Sequence, residues 1–299
     1  MKKLISVLAA LLLLPALAAA ETVVTSFYPI YLFALNLTEG LEGVEVHNMT
    51  EAGAGCLHDY QLQTGDMKQL AKADVFLING AGMEGFLTGV YDAFPELMVV
   101  DASVGIELLC AQEDHDHAHE HSHEHGEYNA HVWLDAGNAQ IMVTNLAQGL
   151  MEAMPERADA IAANRDAYIV RLQALDATLK ENLAQAAGKD IITFHEAFPY
   201  FAKAYGLNVA AVVNRDPDDA LSPAKLAELV GTVKALGVPP LFVEPQYEDV
   251  AARTLSRETG AQIWELDPVA TGPEKDVPLT YYEDVMLRNM RTLLEALGQ

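Results

Sequence analysis

The sequence predicts an α/β protein of two similar lobes, each a mainly parallel sheet covered by helices, joined by one long rigid helix. Three observations carry this. Short runs rich in β-branched residues alternate with helical patterns along most of the chain. The alternation occurs twice, on either side of one uninterrupted helical stretch. Hydrophobic residues make up 51% of the chain, enough for a large core and too many for global disorder. The 299 residues divide into an export segment (1–20), an N-terminal α/β lobe (21–154), a linking helix (155–187) and a C-terminal α/β lobe (188–299).

Residues 1–20 pair Lys2 and Lys3 with an apolar run that ends in Ala18-Ala19-Ala20, the pattern of a cleaved secretory signal. The apolar run is short for a membrane span, and no cysteine follows it to carry a lipid anchor. The expectation is a monomeric exported protein held in a periplasm, without stable membrane insertion.

In the N-terminal lobe, residues 22–27, 44–49, 75–79 and 97–101 read as strands. Residues 28–38, 66–71 and 84–94 read as helices, the first with Pro29 in its opening turn. Residues 138–154 form a further helix that Pro155 breaks. The linking helix shows one apolar stripe at Ile161, Tyr168, Leu172, Leu175, Leu179 and Leu183, and no interior Gly or Pro. In the C-terminal lobe, 190–194, 209–213, 241–243 and 262–266 read as strands. Helices are expected at 198–205, at 223–236 with Ser222 as N-cap, at 250–259 and at 280–297.

The formal charge is −25, and removing the two signal lysines leaves −27. Such a surface repels phosphate, which excludes nucleic acid as a partner, and it suits cations. Two cysteines occur, Cys56 and Cys110. An oxidising compartment permits a bridge between them, worth roughly 4 kcal/mol in the chain-entropy account. The alternative for Cys56, two residues from His58, is a metal thiolate.

From Glu113 to Asp135 the chain reads EDHDHAHEHSHEHGEYNAHVWLD. His115, His117, His119, His121, His123 and His125 alternate with residues that are mostly acidic. This composition cannot pack a core, but it offers imidazole and carboxylate to borderline divalent metals. It reads as a flexible metal-collecting loop beside an ordered site. His131 follows, ahead of a strand-like VWL. Outside the tract only His47, His58, His131 and His195 exist. His47 lies inside a predicted strand and reads as structural. His58, His131, His195 and Asp267 all fall at or just after predicted strand ends, two from each lobe. Parallel sheets place their ligand sites there. Three neutral imidazoles with a carboxylate or water make a normal Zn2+ shell.

The segments CLHDYQLQTGDMKQLAKADVFLINGAGMEGF, NAHVWLD, FHEAFPYFAKAYGL, FVEPQ and ELDP occur in this order. In order and spacing they resemble the solute-binding receptors of zinc and manganese ABC importers, the ZnuA and TroA type, over nearly the whole mature chain. The resemblance implies metal ligands at His58, His131 and His195, with Asp267 as the acidic fourth. It implies a membrane permease as partner, no enzymatic activity, and Zn2+ as transported ligand, since the histidine tract and His195 match the zinc branch. A carboxylate at that third position would mark manganese receptors. Some zinc receptors carry an acid just before the first ligand, where this chain has Leu57, so the fourth position stays open between Asp267 and water. Two other readings compete. One is a manganese or iron receptor. The other is an exported zinc hydrolase with Glu196 as base, which lacks an H-E-x-x-H motif because Pro199 stands four residues after His195.

Overall fold

The computed structural model describes residues 20–298, apart from 54, 56, 58, 59, 112–127, 214–221 and 248–249. Residues 1–19 of the export segment, Cys56, His58 and the histidines of the tract (115–125) lie outside the described residues.

The first half builds a four-stranded parallel sheet from β1 (Glu21–Thr25), β2 (Val44–Asn48), β3 (Val75–Ile78) and β4 (Met98–Asp101), in the order β2-β1-β3-β4. The connections carry α1 (Tyr28–Leu37), α2 (Thr64–Leu70) and α3 (Leu87–Ala93). All four residues of β3 are buried, as expected of a strand covered on both faces. The second half repeats the plan. Strands β5 (Asp190–Thr193), β6 (Asn208–Val212), β7 (Leu241–Val243) and β8 (Ile263–Glu265) pair in parallel as β6-β5-β7-β8. Between them run α6 (Pro199–Tyr205), α7 (Pro223–Ala235) and α8 (Val250–Thr259), and α9 (Tyr281–Leu297) follows. As the sequence predicts, Ser222 caps α7, its hydroxyl accepting from Lys225 N at 3.1 Å.

Between the halves lie α4 (Ala136–Ala153) and α5 (Ala158–Leu183). At 1.5 Å per residue, α5 spans about 39 Å. Its buried residues are Ile161, Tyr168, Leu172, Leu175, Leu179 and Leu183, the stripe read from the sequence. That stripe packs mainly on α4, with α1 and α9 beside it. Asn164 pins α5 to the first half by donating to Leu37 O and Glu39 O. One continuous apolar core runs through residues of both halves. No helix among the described residues is long and apolar enough to cross a membrane.

Helix α4 lies so close to the first sheet that a Cβ at Gly149 would sit 2.3 Å from a Val100 methyl. Gly149→Ala is therefore expected to destabilise by about 1–3 kcal/mol through overpacking, despite alanine's better helix propensity. A urea midpoint equal to or above that of the parent would show that the interface yields.

One expectation needs correction. The VWL after His131 is one turn of 3-10 helix, Val132–Leu134, and not a strand. All three side chains are fully buried, so the run is apolar because it is enclosed, not because it alternates at a sheet edge. Cys110 is a free, exposed cysteine; its expected partner Cys56 lies outside the described residues. His47, read as structural, is on edge strand β2 with a half-exposed side chain 3.4 Å from Glu45.

Candidate metal centre

In each sheet the chain winds outward in opposite directions from the two central strands, β1 and β3 in one, β5 and β7 in the other. The carboxyl ends of such strand pairs form a crevice where ligands bind. His195 follows β5 and Glu244 follows β7, so these two residues flank the second crevice. Asn79 follows β3 and flanks the first.

His195 is 1% exposed. Its Nδ1 lies 2.9 Å from Glu244 Oε1, and Glu244 Oε2 accepts from Gln246 Nε2 at 2.6 Å. A buried carboxylate on Nδ1 makes that nitrogen the protonated one and places the ring's lone pair on Nε2. His131, also 1% exposed, enters from the other half with its ring centroid 4.8 Å from that of His195. Its Nδ1 lies 3.1 Å from Asn129 Oδ1. Both imidazoles are therefore held by an oxygen acceptor behind one nitrogen, the arrangement that orients metal-binding histidines.

The backbone beneath His131 is tied down as well. Asn79 Nδ2 donates to Ala130 O at 2.9 Å. The amides of Asn79 and Gly80 donate to the two oxygens of Glu84, which shapes the loop after β3. Burial pushes the Glu84 carboxyl up to about 7, against hydrogen bonds from Ser26 and those two amides. The turn at Gly80 (φ +77°) admits no side chain, since a Cβ there would fall 1.8 Å from Asp101 Oδ1.

Asp267 follows β8 and is 6% exposed. Trp133, whose ring lies 5.1 Å from that of His131, donates through Nε1 to Pro268 O at 2.7 Å, joining the His131 and Asp267 segments. Burial pushes the Asp267 carboxyl up to about 6; the Val269 amide and Arg288 oppose this, while Glu265 and Glu244 add to it. Because the folded value lies above the ordinary 3.8, the stability this group lends is fully present below about pH 4. It is lost as pH rises through 6. The metal-free protein should lose stability across that window, and Asp267→Asn should reduce the loss. Urea midpoints at pH 4.5 and 6.5 check this, and an unchanged slope in the variant would assign the effect elsewhere.

Of the four residues read from sequence, the structure brings His131 and His195 into ring contact and links Asp267 to them through Trp133. His58 lies outside the described residues. Among the described residues, no group of three or more His, Cys, Asp or Glu side chains is close enough to hold a metal ion. Sequence reading missed Asn129, Glu244 and Asn79. Glu244 had a signal, a carboxylate directly after a buried strand. Asn129 had only its place two residues before His131.

A sequence model of the family described as the periplasmic component A of the zinc-uptake complex, ZnuA, matches residues 23–296. The chain belongs to the ZnuA family. Among its relatives is the zinc-binding lipoprotein AdcA of Streptococcus pneumoniae, 31% identical over 93% of this chain; the chain spans 56% of that protein's length. The high-affinity zinc uptake system protein ZnuA of Brucella abortus is 30% identical over 92% of this chain and 91% of its own. The solute-binding protein FpvC of Pseudomonas aeruginosa, solved with Mn2+, superposes at a TM-score of 0.80, with 27% identity over 93% of this chain and 99% of that one. Zinc-bound AdcA of Streptococcus pneumoniae superposes at 0.79, with 28% identity over 94% of this chain and 58% of that one. The two-sheet ZnuA-family architecture is thus the fold expected from sequence.

Proposed function

We propose that this ZnuA-family chain is a receptor that captures Zn2+ outside the cytoplasmic membrane and delivers it to the permease of an ABC-type metal importer. The observation that carries this is the pair His131 and His195: two buried imidazoles in ring contact, one from each half, each held behind Nδ1 by an oxygen acceptor. Family membership and the zinc-binding relatives support the same reading. His58 supplies the third imidazole, and Asp267 or water the fourth position. The histidine tract serves as a secondary store, and the receptor acts as a monomer. Zinc is cargo here, so the protein needs to hold it and release it, not to use it.

The Mn2+ complex of FpvC favours a second reading, a manganese receptor of the same family. Two borderline nitrogen donors at the centre favour zinc over manganese. The hydrolase reading loses its base: Glu196 is 5% exposed, which denies it the water access that a general base needs.

Calorimetry of the metal-free protein with Zn2+ and then Mn2+ tests the proposal. One tight zinc equivalent is expected, together with weaker equivalents that vanish when residues 113–127 are deleted. Tighter binding of Mn2+ than of Zn2+ would reverse the metal assignment. Loss of the tight equivalent in the folded deletion variant would move a primary ligand into the tract.

A further inference from the structure

Asn129 is 4% exposed and is held on every side. Its Oδ1 accepts from the backbone N of His131 at 3.0 Å and faces that residue's Nδ1 at 3.1 Å. Its Nδ2 donates to Glu196 O at 2.7 Å, across the boundary between the halves and one residue beyond His195. Its own carbonyl accepts from Tyr200 OH, and its amide donates to Leu109 O.

The amide of Asn129 cannot be turned over in this setting. A carbonyl such as Glu196 O accepts hydrogen bonds and never donates, so the side facing it must be the NH2. The side facing His131 must then be the oxygen, which also takes the backbone N–H of His131. An amide oxygen is an acceptor only, so the His131 Nδ1 opposite it must carry hydrogen. A neutral imidazole has one N–H, and its lone pair is therefore on Nε2.

We infer that Asn129 is a positioning residue that sets the ligand-competent tautomer of His131, and that it does so by reading the backbone beside His195. This rests on the receptor reading for its purpose but not for its geometry. The two histidines then differ in what stands behind them. Glu244 gives His195 a carboxylate, whereas Asn129 gives His131 a neutral amide whose orientation depends on the other half being docked. The bond to Glu196 O is the contact that ties the amide's orientation to the other half.

The test reads the ring directly, on metal-free protein labelled with 15N, by long-range 1H–15N correlation near pH 7.5. The His131 signals are assigned by their loss in His131→Gln. The expected result is Nδ1–H with an unprotonated Nε2 in the parent chain. In Asn129→Ala the ring should shift toward Nε2–H, and Zn2+ affinity should fall roughly 10- to 100-fold, the cost typical of losing a partner behind a metal ligand. Asn129→Asp keeps an acceptor for Nδ1–H, so it should keep the tautomer and bind Zn2+ more tightly than Asn129→Ala. An Nε2–H ring in the parent chain would overturn the inference even if neither variant folds. So would an unchanged tautomer in folded Asn129→Ala. A parent chain that shows the predicted tautomer and its shift but binds no Zn2+ would support the role of Asn129 and refute the receptor reading.

Discussion

His195→Ala is expected to lower Zn2+ affinity by more than about a hundred-fold. Removing a group that only orients a metal-bound histidine typically costs 10- to 100-fold. Removing the histidine itself also deletes a donor, so its cost must exceed that range. The change further leaves Glu244, 3% exposed, without the ring it faces, and a buried carboxylate without its partner weakens the local structure. Circular dichroism must therefore accompany the calorimetry. His131→Ala should match the affinity loss with less structural cost, because Asn129 retains its bond to the backbone N of residue 131. Tight zinc binding at parental affinity in either folded variant would remove that histidine from the shell.

Tyr282→Ala is expected to destabilise by about 3–5 kcal/mol, the usual cost of deleting a fully buried large aromatic. Tyr282 lies in α9 with 1% exposure, and its ring meets Phe33 of α1 edge to face at 5.2 Å. Its hydroxyl donates to Trp133 O at 2.6 Å, in the turn that follows His131. Tyr282→Phe separates the two contributions. It keeps the ring packing and leaves a buried carbonyl short of a donor, so it should cost only about 1–3 kcal/mol. Urea unfolding of both variants measures this, and equal losses would mean that the hydrogen bond, not the ring, dominates.

The buried stripe of α5 was legible because its apolar spacing is local and repeats at the helical period, whereas the 3-10 turns at Pro155–Arg157 and Ala184–Ala186 that bound it were read as more of the same helix. The strands were legible because short runs rich in β-branched and apolar residues alternate with helical patterns. The turn at Val132–Leu134 was not. Three consecutive apolar residues fit a strand and an enclosed turn equally well, and only the surrounding core decides between them. His131 and His195 were legible because the chain has so few histidines outside the tract. What stands behind them was not, since Glu244 is 49 positions from His195 and no local pattern joins the two.

The packing of α9 has a consequence for how the chain reaches its folded state. Tyr28 of α1 donates to Pro273 O across 245 positions, Asn36 donates to Leu279 O across 243, and Phe33 of α1 rests on Tyr282. Until the segment around residue 280 is in place, α1 keeps an apolar flank open, so the first half cannot complete its own core. Contacts this distant in sequence form late, because closing a long loop costs entropy before any contact rewards it. Refolding should therefore be slow and the two halves should unfold together. A fragment ending before α9 would expose an adhesive surface to any chaperone or protease it meets.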